Sequence, residues 1–501
     1  MLRLGDEPFI VSLMGLAGIS MLLPAAHALA LDDHLTSRAF FYAALLSGLL
    51  FLMVALAMSG MRIRSYGRSH LISIVGCMVL LPVMLAVPLS EAAPGTAFVD
   101  AYVEMVSSLT TTGLTILDPE TLPPSAHLWR AQVGWMGGFF IWVVAIAILA
   151  PLSLGGFEVT SGTEIGQQGQ LTSLSANPSL RLRRYALRLF PVYGGLTLVL
   201  WLSLYLAGDS AFVALCHAMS TIATSGISPV GGMKGSEAGP LGEFIILIFL
   251  VFALSRLTFA REERPRGWRS LLDDPELRLG FLLVLAAAAM LFLWNWIASF
   301  ETEAGMSLSG GLRALWGALF TVASFLTTTG FVAEEWNVAR AWSGLSTPGV
   351  LLLGLALLGG GVATTAGGVK LLRVYALYQH GVREMEKLVQ PSSIGGQGRQ
   401  GRRFRRQGAY AAWVFCMLFA LSCSVVMAGF ALIGGLGLEE SLVLTVAALS
   451  TTGPLIEIAG SMPMELTDLG DAALGLLCAA MVLGRLETLA LIALLNPEFW
   501  R

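Results

Sequence analysis

Charge is what this 501-residue chain is short of: Asp, Glu, Lys and Arg together make up 13% of it, while 55% is hydrophobic. A soluble protein carries about a quarter charged residues, so lipid is read as the solvent for much of this surface. The net charge is only −3, and no global basic field calls for nucleic acid. Cysteine is scarce as well. Cys77, Cys216, Cys416, Cys423 and Cys478 all lie in apolar segments, and none has CxxC spacing. That excludes a disulfide framework or a thiolate metal site and leaves small buried hydrophobes, although Cys416 and Cys423 could share a helix face. Six histidines supply no HExxH, and there is no GxxxxGK[ST] phosphate loop, so neither metal hydrolysis nor nucleotide binding by this chain is indicated, and the chain reads as a non-enzyme. A basic leader is missing too: Asp6 and Glu7 stand against Arg3. Ala28-Leu-Ala30 looks like a signal-peptidase site, but the apolar stretch 9–30 is long enough to span a bilayer, and a retained helix is expected.

What is abundant is apolar sequence in long runs. Stretches near 9–30, 39–60, 71–92, 128–153, 184–207, 240–259, 279–300, 346–378, 408–434 and 472–495 reach the roughly 20 residues needed to cross a hydrocarbon core, the eighth being interrupted. The expectation is an all-α polytopic membrane protein with ten transmembrane helices. Shorter apolar runs at 97–109, 211–222, 313–326 and 439–449 fit half-helices that enter and turn back. Lys and Arg gather in 61–70, 181–188, 256–278 and 370–406. The alternate loops are acidic, with Glu91, Asp100, Glu104, Asp118 and Glu120, then Glu301 and Glu303, Glu334 and Glu335, Glu439 and Glu440, and Glu457, Glu465, Asp468 and Asp471. The positive-inside bias makes the basic loops and both termini cytoplasmic. Residues 160–180 and 391–407 read as solvent-exposed linkers. The second is a basic stretch suited to anionic lipid, to a cytosolic partner, or to both.

One string recurs behind each short run: Ser107-Ser-Leu-Thr-Thr-Thr-Gly113, Ser220-Thr-Ile-Ala-Thr-Ser-Gly226, Ser324-Phe-Leu-Thr-Thr-Thr-Gly330 and Ala447-Ala-Leu-Ser-Thr-Thr-Gly453. A cation that sheds water needs oxygen ligands, and rings of backbone carbonyls supply them without fixed charge in the membrane. Glycine reaches the backbone angles such rings demand, hydroxyls stiffen the loop, and the C-terminal end of each half-helix favours positive charge. Small residues also serve plain helix packing, but four copies at corresponding places are read as a selectivity filter: Thr110, Thr111, Thr112 and Gly113; Thr224, Ser225 and Gly226; Thr328, Thr329 and Gly330; Thr451, Thr452 and Gly453. The acids after the loops could concentrate cations, or be ordinary solvated charges.

The layout divides the chain into a helix pair outside the repeats (1–60), pore repeat 1 (61–153), a linker (154–180), repeat 2 (181–259), a linker (260–274), repeat 3 (275–390), a basic linker (391–407) and repeat 4 (408–501). Within repeat 3, Gly359-Gly-Gly-Val-Ala-Thr-Thr-Ala-Gly-Gly-Val-Lys370 interrupts an apolar helix, and five glycines break it. Gly359, Gly360, Gly361, Thr364, Thr365, Gly367, Gly368 and Lys370 are gate candidates, close helix packing being the alternative. Arg485 lies mid-span, where a charge faces a cavity or a partner. It is a candidate checkpoint below the filter or one half of a structural ion pair, Glu487 facing away from it on a helix. His217, in the second short run, is read as a core or vestibule residue.

Together these features resemble the Trk/Ktr/HKT superfamily of potassium transporters over nearly the whole chain. The likeness rests on the loops ending in Gly113, Gly226, Gly330 and Gly453, the 359–370 break, Gly484-Arg-Leu-Glu487 and the terminal Asn496-Pro-Glu-Phe-Trp-Arg501. The extra pair at 9–60 resembles the TrkH branch. The resemblance implies potassium uptake across a bacterial inner membrane, with K+ as the transported ion and no covalent cofactor. It also implies a pseudo-fourfold pore of four M1-P-M2 repeats and a homodimer. A loop at 359–370 would obstruct the pore beside Arg485, and a cytosolic ring of nucleotide-binding regulatory subunits (TrkA-like) would dock below. The family often carries Asn two places before the fourth glycine, where this chain has Thr451, so ion choice follows less closely than fold. Sodium or poorly selective conduction, and cation-coupled secondary transport, are the rival readings; the second predicts ionisable residues in several spans.

Overall fold

A computed structural model describes residues 9–58, 66–119, 121–150, 156–159, 178–255, 274–298, 308–345, 347–389, 406–460, 464 and 466–486. Among these the architecture is helical, without strands. The helices are α1 (Phe9–Ser20), α2 (Leu22–Ala30), α3 (His34–Met58), α4 (Tyr66–Ala92), α5 (Phe98–Leu109), α6 (Pro124–Val144), α7 (Pro178–Leu206), α8 (Ala211–Ala223), α9 (Gly239–Leu250), α10 (Pro275–Ala298), α11 (Leu308–Leu326), α12 (Trp336–Ser343), α13 (Gly349–Leu358), α14 (Leu371–Val389), α15 (Arg406–Ile433), α16 (Leu438–Leu449), α17 (Leu455–Ile458) and α18 (Asp471–Leu486).

Seven described segments are long and apolar enough to cross a membrane: Ile10–Ala30, His34–Met58, Ile72–Ala92, Pro124–Leu149, Arg181–Leu206, Pro275–Leu293 and Gly408–Ile433. The other three expected spans do not reach that length among the described residues. The run 240–259 forms the shorter apolar helix Gly239–Ala253, and the run 472–495 is described only to Leu486. The run 346–378 is cut at Gly359, which caps α13 at φ 72°. The linkers 160–177 and 390–405, Glu487, and the terminal string from Asn496 lie outside the described residues.

The four repeats share one construction. A long helix (α4, α7, α10 or α15) packs on a short one (α5, α8, α11 or α16), a tight loop follows, and a second helix (α6, α9, α13 or α18) leaves it. Local chemistry starts these elements where they start. Ser210 caps α8 by accepting from the Val213 N–H at 3.3 Å, Pro124 opens α6 in the first turn, and Glu440 accepts the Gly437 N–H ahead of α16 at 3.0 Å. The Ser210 and Glu440 side chains each satisfy a donor the helix leaves unpaired, and Pro124 has no N–H to leave unpaired. α11 runs longer than a half-helix, from Leu308.

Packing between repeats is cyclic. The second helix of repeat 1, α6, lies on the short helix α8 of repeat 2; α9 lies on α11; α13 lies on α16; and α18 returns to α5 of repeat 1. The helices α1–α3 stand outside this ring and lean on α4 and α6. They are tied there by Gln132 Nε2 donating to the Ser20 carbonyl at 2.9 Å and by a 2.8 Å bond between His27 Nδ1 and Ser125 Oγ. Leu45, Leu46, Leu49, Leu52, Met53 and Leu56 of α3 are exposed, as befits a helix facing hydrocarbon.

Candidate functional site

The four repeated strings build four copies of one helix end. In each, an N–H just past the helix end returns to the carbonyl five residues earlier: Thr112 to Ser107 (2.8 Å), Ser225 to Ser220 (2.9 Å), Thr329 to Ser324 (2.9 Å) and Thr452 to Ala447 (2.8 Å). The residue before it bonds three back: Thr111 to Ser108, Thr224 to Thr221, Thr328 to Phe325 and Thr451 to Ala448. This is a Schellman cap, whose left-handed position ordinarily holds glycine. Here it holds threonine every time, at φ 55°, 52°, 57° and 53° for Thr111, Thr224, Thr328 and Thr451. A β-branched side chain at positive φ is strained. Two positions on, Gly113, Gly226 and Gly330 are left-handed as well, at φ 70°, 69° and 83°. Gly453 departs from them in not being left-handed, consistent with the limits that the following Pro454 sets on its predecessor.

These loops are gathered together, and each touches the next. A Cβ on Gly113 would overlap the carbonyl of Ser225, one on Gly226 the carbonyl of Thr329, one on Gly330 the ring of Pro454, and one on Gly453 the backbone at Gly113 and Leu114. The Gly453 N–H donates to the Thr112 carbonyl at 2.6 Å. Contact therefore runs from loop 1 to 2, 2 to 3, 3 to 4 and 4 back to 1, in the same order as the helix packing. The threonines and serines among the filter candidates are buried, as are Gly330 and Gly453, while Gly113 and Gly226 are partly exposed.

Hydroxyls stiffen the loops from within. Thr110 Oγ1 donates to the Val106 carbonyl at 2.7 Å and pairs with Thr112 Oγ1 at 2.8 Å. Thr327 pairs with Thr329 at 3.2 Å, and Ser450 with Thr452 at 3.2 Å. Loop 2 has Ala223 at that place, and Ser225 Oγ turns to Ser220 Oγ instead, at 3.2 Å. The reason is space: α6 passes so near that a Cβ on Gly138 would lie 2.9 Å from the Ala223 Cβ.

The second helices come equally close. A Cβ on Gly137 of α6 would overlap the Leu109 carbonyl, and one on Gly484 of α18 the Leu449 carbonyl. Both carbonyls end a short helix, so the glycine of the Gly484-Arg-Leu string is a packing requirement.

Against the loops lies the 359–370 segment. The Gly367 N–H donates to Thr328 Oγ1 at 2.7 Å, and Thr365 Oγ1 donates to the Ile222 carbonyl at 3.1 Å. A Cβ on Gly367 would overlap Ser450 and Thr451. The segment so touches loops 2, 3 and 4. Its own fold is fixed by Thr364 Oγ1 to the Gly361 carbonyl at 2.8 Å, the Gly361 N–H to the Ala253 carbonyl and the Leu371 N–H to the Gly360 carbonyl, each at 2.9 Å. Gly368, at φ 75°, abuts Gly359. Lys370, itself left-handed at φ 84°, is buried and donates to the Ala366 carbonyl. Arg485 Nη1 donates to the Thr365 carbonyl at 2.7 Å. The gate candidates are thus in one place, beside loops 2, 3 and 4.

Sequence reasoning missed several buried polar residues around this centre. Glu104 was counted among the outward loop acids. The structure instead buries it, with Arg130 Nε 2.5 Å from its Oε1. Its Oε2 accepts the Ile116 N–H at 3.1 Å and the Thr115 hydroxyl at 3.2 Å. A carboxylate behind a loop gains more from a paired guanidinium and two donors than from leaving them unpaired in a low dielectric. Glu243 of α9 accepts from Trp316 Nε1 and from the Glu334 N–H, both at 2.6 Å. Glu276 accepts the Val362 N–H at 2.8 Å, steadying the 359–370 segment. Of the flanking acids, Glu335 is tied to Arg313 at 2.5 Å. His217 is fully buried and bonds Ser228 Oγ at 2.9 Å, as a core residue does. Among the described residues no cluster of His, Cys, Asp and Glu could hold a metal ion.

The arrangement matches known proteins over its whole length. The TrkH family, described as a cation transport protein, matches residues 61–499. The chain is 32% identical over 416 residues to the Trk system potassium uptake protein TrkH of Escherichia coli K12, covering 81% of this chain and 80% of that protein. It is 31% identical over 439 residues to the TrkH of Halomonas elongata, covering 86% and 84%. The crystal structure of the potassium transporter TrkH from Vibrio parahaemolyticus superposes with a TM-score of 0.82 at 26% identity, covering 100% of both chains.

Proposed function

The chain belongs to the TrkH family of cation transport proteins, and from that premise we propose that it takes up potassium across the bacterial inner membrane through a single pore. The observation that carries this reading is the closed ring of contact from Gly113 through Gly226, Gly330 and Gly453. Carbonyls and hydroxyls of Thr110–Gly113, Thr224–Gly226, Thr328–Gly330 and Thr451–Gly453 form the filter, at the C-terminal ends of four re-entrant half-helices whose dipoles favour a cation. Relatives named as potassium uptake proteins support the choice of ion.

Ten spans complete the topology, the three not reaching spanning length in the described residues being 240–259, the interrupted 346–378 and 472–495. Basic loops and both termini face the cytoplasm. The segment 359–370 is the gate. Its hydrogen bonds to loops 2 and 3 and its contact with Arg485 support reading it as a removable obstruction under the filter, with Arg485 as a positive charge that a cation must pass. Two chains pair in the membrane, and a cytosolic nucleotide-binding regulator acts on the gate from below. The driving force is the membrane potential, worth about 2.3 kcal/mol per charge per 100 mV.

The test is growth of a potassium-uptake-deficient bacterium at low potassium, together with rubidium uptake against sodium competition. The intact chain restores growth and prefers rubidium. Gly330→Ala, which drives a Cβ into Pro454, abolishes the preference while the protein still accumulates in membranes. Selective uptake by Gly330→Ala would refute the filter.

A further inference from the structure

The outer end of each filter loop needs its own support, and three of the four obtain it from the same register of the short helix. Glu104, His217 and Thr321 each stand nine residues before their loop glycine. Each reaches forward to the segment just past that glycine. Glu104 holds Thr115 and Ile116, and His217 holds Ser228, whose hydroxyl in turn accepts the Val230 N–H at 3.2 Å. Thr321 Oγ1 accepts the Ala333 N–H at 3.2 Å. All three side chains are buried. Glu104 and Thr321 accept the N–H three places past their glycine, whereas His217 bonds the hydroxyl two places past it, where Thr115 stands in repeat 1.

The fourth repeat shows why the register matters. Its equivalent residue is Leu444, which offers no acceptor. There the chain past Gly453 enters α17 at once behind Pro454, so its N–H groups find partners within the turn, Leu455 N–H on the Thr452 carbonyl among them at 3.2 Å. The strut is absent where the segment supports itself.

We propose that Glu104, His217 and Thr321 are positioning residues for ion selection: each fixes the outer end of its filter loop, and Glu104 is itself held by Arg130. This rests on the filter reading above. A loop released at its outer end can widen, and oxygens that widen fit a second cation as well as the first. The cost falls on discrimination before it falls on folding.

The experiment uses the full chain, purified and reconstituted in liposomes, with rubidium uptake measured against sodium competition. Thr321→Val removes the hydroxyl with little change of shape, and Thr321→Ser restores it. Thr445→Val is the control, because Thr445 is a buried hydroxyl on the fourth short helix with no hydrogen-bond partner. Loss of one such bond corresponds to a fall of about three- to tenfold in the rubidium-to-sodium ratio for Thr321→Val. Thr321→Ser and Thr445→Val keep the parent ratio. Glu104→Gln retains an acceptor for Ile116 but loses the charge that pairs Arg130, and the ratio falls in the same direction. An unchanged ratio in Thr321→Val overturns the proposal, as does an equal fall in Thr445→Val. Should Glu104→Gln fail to accumulate, the Thr321 pair decides alone. Gly330→Ala run alongside separates the two readings: if it loses selectivity while Thr321→Val keeps it, only the strut is wrong, and if Gly330→Ala keeps selectivity, the filter itself is.

Discussion

A β-branched residue at positive φ costs on the order of 1–3 kcal/mol, and this molecule repeats that cost at Thr111, Thr224, Thr328 and Thr451. Glycine would remove the strain, so the side chain is kept for something other than stability. Thr328 uses its hydroxyl to accept the Gly367 N–H, and Thr224 bonds the Ala223 carbonyl at 2.7 Å. The hydroxyls of Thr111 and Thr451 are buried with no hydrogen-bond partner, and on the proposed filter reading they are open to the ion. Thr111→Gly is therefore expected to leave the thermal midpoint of the detergent-solubilised protein unchanged or raised while the rubidium-to-sodium ratio collapses. A fall in the midpoint with the ratio retained would make Thr111 a structural residue. The four-fold string revealed the hydroxyls and the glycines. It did not reveal which residue is left-handed, because propensity assigns positive φ to glycine and is overridden here by the cap.

At the scale of elements, the short helices were legible almost to the residue. The runs 97–109, 211–222 and 439–449 are realised as α5, α8 and α16, since Ser210, Gly437 and the Thr-rich caps punctuate them in sequence. The break at 359–370 was equally plain from its glycines. The burial of Glu104 was not, because its partner Arg130 lies on another helix and a lone acid near an acidic loop reads as solvated. Aligning the four loops by their glycines, rather than reading each alone, would have set Glu104, His217 and Thr321 side by side. The helix pair outside the ring carries its own test. Asp33 precedes α3 and accepts the Thr36 N–H at 3.1 Å. Hydrogen bonding from Thr36 holds its carboxyl below the ordinary 3.8, so the cap contributes in full above that value and is lost as pH falls through the lower folded-state value. Asp33→Ala should lower stability by about 1 kcal/mol at neutral pH. In thermal melts across pH the gap to the parent should close only in strong acid, and an equal gap at all pH values would rule out the cap.

At the scale of the molecule, two independent sets of contacts close in the same cyclic order. One joins loop to loop and the other joins each second helix to the next short helix. The family relationship was readable above all from the four loop strings, which lie in this ring, while the expected orientation rests on the distribution of charge alone. Orientation is open to a direct check. With Glu439→Cys a membrane-impermeant maleimide should label intact cells, whereas Arg383→Cys should react only after the membrane is opened. The reverse pattern would invert the topology.

Loop 2 carries Ala223 where its sisters carry a hydroxyl, and loop 4 carries Leu444 and Pro454 where its sisters have neither. An assembly of identical subunits must alter every wall of its conduit with each substitution. A single polypeptide that supplies all the walls can change one and conserve the rest, so on the proposed filter reading its preference among ions is adjustable in quarter steps.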